Sequence, residues 1–252
     1  MSKLSLYAIV PAAGLGRRMG GDGNKAWLDL GGRSVLERTL DLLYGEPRLA
    51  GLVLVGRPSE LEQLHSLARH YAPEPLIVSG GETRQDSVRH GLEALAAALA
   101  PRERRTARVL IHDAARCLAT PELIGRVATA LLKEETVALT TAIPVTDTVA
   151  EVMEAAGAAD EAWLVSVPPR RLMRAIQTPQ GLRLAEGLAW HQAAAREGRS
   201  YTDDSALALA SGARVLVIAG EAENFKLTLP EDCERARGVL ARREGRRDST
   251  SL

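Results

Sequence analysis

Short apolar runs recur along the chain, and stretches of helical periodicity separate them. Tyr7–Pro11 (YAIVP), Leu52–Val55 (LVLV), Leu76–Val78, Val109–His112 (VLIH), Val137–Ile143 and Val215–Ile218 (VLVI) are continuously apolar rather than alternating. Runs of this kind suit strands covered on both faces, as in a parallel sheet. The intervening stretches carry helix-start signals. Ser34-Val-Leu-Glu37 has the capping-box pattern, Thr83-Arg-Gln-Asp86 is a version of it with the shorter acid, and Thr120-Pro121 places a capping hydroxyl before a proline. The alternation predicts an α/β fold, a mostly parallel sheet with helices on both faces.

The rhythm breaks between Val145 and Thr178. TDTVAEV, the small-residue stretch AAGAAD and then WLVSV predict a β-hairpin arm leaving the main body. Its apolar positions Val149, Val152, Leu164 and Val167 would be exposed, and such an excursion commonly ends against another subunit. The segment from Arg242 to Leu252 is charged and Ser/Thr-rich and reads as a flexible tail.

Composition narrows the function. The chain has 252 residues, 46% hydrophobic and 25% charged, enough for one large α/β domain or two small ones. Lys+Arg and Asp+Glu each total 32, and this zero balance disfavours nucleic acid as the main partner. Cys117 and Cys233 are too few for a disulfide framework or a thiolate metal site. Met1–Leu6 carries one lysine and lacks the pattern of a signal peptide, and no apolar run reaches membrane-spanning length, so we expect a cytoplasmic protein.

The candidate chemistry follows the strands. After the first comes Pro11-Ala-Ala-Gly-Leu-Gly-Arg-Arg-Met19, then Lys25. The third glycine of a dinucleotide fingerprint is replaced by Met19, and Gly56-Arg57 stand where a ribose-binding acid would end the second strand. A Walker A loop is absent as well. Gly14 and Gly16 let backbone amides approach an anion, and Arg17, Arg18 and Lys25 supply charge suited to a triphosphate. A plain strand-to-helix turn with solvated cations is the alternative. Asp113, after the fourth strand, would lie beyond the carboxyl end of the sheet beside this loop. A carboxylate next to phosphates implies a hard divalent cation such as Mg2+; a helix N-cap is the competing role. Gly80-Gly-Glu-Thr-Arg-Gln-Asp-Ser87 is a second glycine turn, able to read a nucleobase or simply to start a helix. His112 receives no role.

In combination these segments resemble the 2-C-methyl-D-erythritol 4-phosphate cytidylyltransferase family from about Tyr7 to Arg237. The signatures are PAAGLGRRM (Pro11–Met19) with Lys25, GGETRQDSV (Gly80–Val88), HDAAR (His112–Arg116), PVTDT (Pro144–Thr148), Arg170 ahead of QTPQ (Gln177–Gln180), YTDDSAL (Tyr201–Leu207) and ENFKLTLPED (Glu223–Asp232). The resemblance implies a Rossmann-like nucleotidyltransferase domain over residues 1–240, with a dimerisation arm at about 145–175 and a tail at 241–252. It implies an enzyme that couples CTP to a polyol phosphate, with loss of pyrophosphate, and works as a homodimer. On it, Ala12, Ala13, Gly14, Gly81, Glu82, Ser87 and Ala114 fall on CTP-binding positions. Arg18, Lys25 and Lys226 fall on phosphate-neutralising positions, and Asp113 on the Mg2+ position. Arg170, Arg116, Thr148, Thr178 and Thr202 fall on polyol-phosphate positions, with Arg116 and Thr148 reaching across the dimer. Ribitol-5-phosphate cytidylyltransferase shares most of these motifs; a non-catalytic nucleotide-binding protein and a dehydrogenase are more distant rivals. Departures from the family pattern are Cys117 for proline, no proline before Lys25 in the glycine-rich Gly20–Asn24 stretch, Glu82 and Glu223 for aspartate, and Gly181-Leu182 for an aromatic.

Overall fold

The computed structural model describes residues 4–14, 24–154 and 161–250. Seven strands form one sheet: β1 (Leu6–Pro11), β2 (Leu49–Gly56), β3 (Leu76–Ser79), β4 (Arg108–Ile111), β5 (Ala138–Pro144), β8 (Arg174–Arg183) and β9 (Val215–Ala219). Two more, β6 (Glu151–Glu154) and β7 (Ala162–Ser166), pair only with each other. The helices are α1 (Val35–Tyr44), α2 (Leu61–Ala68), α3 (Arg84–Ala98), α4 (Pro101–Thr106), α5 (Pro121–Leu131), α6 (Leu184–Arg196), α7 (Asp204–Ala210) and α8 (Pro230–Thr250).

The sheet order is β3-β2-β1-β4-β8-β5-β9, and every neighbouring pair is parallel except the two made by β8. The strand residues alternate between two cores. Leu6, Ala8 and Val10 of β1 pack with Leu36 and Leu40 of α1 and Val127 of α5. Tyr7 and Ile9 pack on the other face with Val88, Leu92 and Leu95 of α3. Burial on both faces is why these runs read as continuously apolar. Helix α3 sits close: a Cβ on Gly91 would come 2.8 Å from Ile9 Cγ2. The three start signals hold. Ser34 and Glu37 form a full capping box, and the Thr83 and Thr120 hydroxyls accept from Asp86 N and Leu123 N.

Strand β8 is the main departure from expectation. It lies inside the sheet although Pro179, which donates no ladder hydrogen bond, sits near its middle. The β5–β8 register shifts between Leu139 and Thr141, and Gln180 Nε2 donates to the skipped Thr140 hydroxyl at 3.0 Å. The expected arm is present as the β6–β7 hairpin, whose strand residues are all exposed.

Residues 241–250, at the start of the segment expected as a tail, form the end of α8. Within it, Arg242 and Arg243 pair with Glu223 at 3.1 Å and 2.9 Å. The Glu223 carboxylate is thereby engaged on the side of α8. No helix among the described residues is long and apolar enough to cross a membrane.

Candidate active site

A cleft of about 560 Å³ opens at the carboxyl ends of β1, β2 and β4. Ala12, Ala13 and Gly14 follow β1 and form one wall, with Lys25 beside them. Gly81, Glu82 and Ser87 come from the turn into α3, and Asp113, Ala114 and Lys226 close the opposite side. Ten residues expected at a nucleotide site thus line one cleft. Arg18 and the rest of 15–23 lie outside the described residues.

The turn into α3 is shaped from within. The Ser87 hydroxyl accepts from Gly81 N at 3.2 Å and donates to Thr83 O at 3.0 Å. A Cβ on Gly80 would come 2.7 Å from Ala13 Cβ, so glycine there lets the two turns approach each other.

Asp113 is the electrostatic centre. Its Oδ1 accepts from Arg84 Nε at 2.8 Å and its Oδ2 from Lys226 Nζ at 2.7 Å. Burial by itself would raise its pKa, but the Arg84 and Lys226 charges outweigh that and hold the carboxyl well below the ordinary carboxylate range. Arg84 also donates to Asp204 Oδ2 at 2.9 Å, and Asp204 Oδ1 meets His191 Nε2 at 3.1 Å. Arg84 Nη2, on the wall of the cleft, is buried without a hydrogen-bond partner among the described residues.

The backbone behind Asp113 is fixed by Thr178, whose hydroxyl accepts from Asp113 N at 3.1 Å and meets His112 Nδ1 at 3.2 Å. His112 Nε2 lies 3.1 Å from Arg116 O and so carries the proton facing that carbonyl. Burial pushes His112 down to about 4, leaving it neutral. Thr178 is buried, which makes it a support behind Asp113. Asn224 Nδ2 donates to Thr178 O at 2.8 Å and Leu227 N to Ala115 O at 2.9 Å; these bonds carry Lys226 to Asp113. Lys25 Nζ donates to Leu227 O at 3.0 Å from the other side.

The remaining expected contacts lie outside the cleft. Arg116 donates within its own chain to Asn224 O at 2.7 Å and Ile176 O at 3.3 Å. Arg170, at the base of the arm, is exposed and donates to Thr146 O at 2.7 Å. Thr148 and Thr202 are exposed, Thr202 just before the Asp203 cap of α7. Sequence reasoning gave no role to Arg84, Asp204 or Asn224, although each stands inside a recognised motif.

The donor set can accommodate Mg2+ in one specific way. Among the described residues no three His, Cys, Asp or Glu side chains gather as a metal cage. Mg2+ is commonly held by one or two carboxylates together with substrate phosphates and water, and a single Asp113 at the cleft fits that pattern.

Comparison with known proteins agrees with the geometry. A model of the 2-C-methyl-D-erythritol 4-phosphate cytidylyltransferase family matches residues 6–242. The enzyme of that name from Microcystis aeruginosa is 37% identical over 240 residues, 94% of this chain and 100% of the relative. A bifunctional enzyme IspD/IspF from Rhodopseudomonas palustris is 41% identical over 234 residues, 92% of this chain but 55% of the relative. Among solved structures, 4-diphosphocytidyl-2C-methyl-D-erythritol synthase from Anaerococcus prevotii aligns with a TM-score of 0.79 at 30% identity, covering 95% of this chain and 97% of its own. The Thermus thermophilus cytidylyltransferase aligns with a TM-score of 0.70 at 32% identity, covering 94% and 98%. Fold, cleft and relatives together make the chain a nucleotidyltransferase. It belongs to the 2-C-methyl-D-erythritol 4-phosphate cytidylyltransferase family.

Proposed function

We propose that the protein transfers CMP from CTP to 2-C-methyl-D-erythritol 4-phosphate, giving 4-diphosphocytidyl-2-C-methyl-D-erythritol and pyrophosphate, a step of isoprenoid precursor synthesis by the non-mevalonate pathway. The observation that carries this is the convergence of Lys25, Lys226, Arg84 and Asp113 on a cleft framed by two glycine turns, in a chain whose residues 6–242 match the family model. Ala12, Ala13, Gly14, Gly81, Glu82, Ser87 and Ala114 would hold CTP. A phosphate oxygen of the polyol attacks the α-phosphorus, that P–O bond forms, and the bond to pyrophosphate breaks in line. The nucleophile is already ionised near neutral pH, so no general base is needed. Catalysis then rests on charge and positioning. Lys25 and Lys226, with Arg18, would neutralise the α-phosphate and the leaving group. Asp113 would hold Mg2+, which when bound adds positive charge over the triphosphate. Arg170, Thr148, Thr202 and Arg116 would receive the polyol phosphate, with Thr178 acting from behind Asp113.

We infer a homodimer assembled through the 145–175 arm, because its exposed Trp163, Leu164, Met153 and Val152 need cover. A cytoplasmic location suits such an enzyme. The test measures pyrophosphate release with CTP, Mg2+ and either 2-C-methyl-D-erythritol 4-phosphate or ribitol 5-phosphate. Turnover with the first and little with the second is expected; the reverse would reassign the substrate.

A further inference from the structure

The two limbs that flank residues 15–23 are joined by side chains outside the phosphate-neutralising set. Asn24 is buried, and each end of its amide is in use. Its Oδ1 accepts from Ala26 N at 3.0 Å and so caps the short turn that carries Lys25. Its Nδ2 has two hydrogens and donates both, to Ala12 O at 2.8 Å and to Glu60 Oε2 at 2.7 Å. Glu60 Oε1 lies 3.6 Å from Arg57 Nη1. Arg57 reaches back to the first limb, where Nη2 donates to Gly14 O at 2.8 Å and Nε to Ala13 O at 3.3 Å.

Three successive carbonyls, of Ala12, Ala13 and Gly14, are therefore held by Asn24 and Arg57. In a planar trans peptide the N–H points opposite to the carbonyl before it. Holding the Ala12 and Ala13 carbonyls thus sets the directions of the Ala13 and Gly14 amides, on residues that line the cleft. The same Asn24 side chain fixes the turn from which Lys25 extends. Glu60 joins the two halves and lies at the end of the segment after β2, outside both limbs.

We propose that Asn24, Glu60 and Arg57 form a positioning clamp that locks the Ala12–Gly14 limb to the Asn24–Lys25 limb and so sets the loop amides and Lys25 against the CTP phosphates. The inference rests on the cytidylyltransferase reading of this cleft. None of the three is a catalytic residue in it; they act through the backbone they hold. The clamp concerns CTP, because the amides of Ala13 and Gly14 and the Lys25 side chain that it sets belong to the residues assigned to CTP.

The test uses Asn24→Asp, which keeps an oxygen to cap Ala26 N but loses both donations and sets a carboxylate against Glu60. Steady-state kinetics should show KM for CTP raised at least about tenfold with kcat lowered, and KM for the polyol phosphate unchanged. Adding Glu60→Gln supplies an amide donor to the introduced carboxylate and should recover part of the loss, the share due to the facing carboxylates, while the donation to Ala12 O stays lost. A role limited to capping the turn gives a near-wild-type Asn24→Asp enzyme; a nonspecific folding defect gives a loss that Glu60→Gln does not recover. Either result overturns the clamp. Should Asn24→Asp fail to fold, Arg57→Gln decides, since it frees the Ala13 and Gly14 carbonyls and leaves Asn24 in place. A CTP KM within twofold of wild type in that variant would also overturn the proposal. If the wild-type chain turns over neither polyol phosphate, the functional reading fails instead, and CTP affinity by calorimetry still ranks the same variants.

Discussion

Lys226 Nζ lies 2.7 Å from Asp113 Oδ2, joining the end of β4 to a segment 113 positions later in the chain. Asp113 keeps a second cation, Arg84, when that partner is lost. Lys226 is also partly exposed at the cleft, so it matters less for folding than for charge. Lys226→Met is therefore expected to lower kcat by about 10²–10³-fold, the usual cost of removing one preorganised charge-stabilising donor. Tm should stay within a few degrees. Lys25→Ala should behave alike, as should Arg18→Ala. Turnover near wild type in any of the three would remove that residue from the reacting centre.

Arg84 has the opposite balance. It sits between two buried carboxylates, Asp113 and Asp204, and its own charge is held by both. Arg84→Gln leaves Asp204 with only His191 and should destabilise the fold by about 3–5 kcal/mol, as breaking a buried ion pair does. The pH dependence follows. Burial would raise the Asp204 pKa, but Arg84 first and His191 next lower it below 3.8 in the folded chain. That stabilisation is present above pH 3.8 and disappears as pH falls through the folded value. Without Arg84, burial prevails and the acid loss begins at higher pH. Melting curves across pH 4 to 7 should show Tm of the variant falling earlier than wild type on acidification; parallel curves would refute the assignment.

The central strands were legible because burial on both faces makes them continuously apolar, and the start signals at Ser34, Thr83 and Thr120 act within one helical turn. Strand β8 was not. Gln177, Thr178 and Gln180 are polar because they serve the site and its support, and Pro179 argues locally against an inner strand; only the shifted β5 register resolves that conflict. The glycine turns and Asp113 could be assigned a place from strand-end geometry. Arg84 could not, since its value lies in joining Asp113 to a residue 120 positions away. The pairing of Arg242 and Arg243 with Glu223 was hidden for the same reason, the partners lying 19 and 20 positions apart.

Cys117 should be chemically silent. It packs with Leu30, Leu118 and Leu227, and burial pushes its thiol up to about 12. The Cys233 thiol is raised as well, again through burial. At pH 8 a disulfide exchange reagent should find almost no thiolate in the native protein. Two thiols should titrate promptly after denaturation. Fast native labelling at Cys117, located by peptide mass, would contradict the packing.

The arm offers the sharpest test of assembly. Val152 pairs with Leu164 and Met153 with Trp163, so apolar side chains stand on both faces of a two-stranded ribbon. A lone hairpin is marginal in water, and these residues are more than half exposed. A second copy of the chain would cover them and bring Thr148, at the base of the arm, toward a neighbour's cleft. Sedimentation should give twice the 27.0 kDa chain mass, and Trp163→Glu with Leu164→Glu should give monomers of low activity. Shared sites make a further demand. Thr148→Asp spoils the arm and Lys25→Ala spoils the cleft, and each homodimer is expected to be nearly inactive. After subunit exchange of equal amounts, each mixed dimer would hold one site built from an intact cleft and an intact arm, so about a quarter of all sites should regain activity. No recovery on mixing, in samples whose exchange is verified, would mean that each cleft works with its own arm.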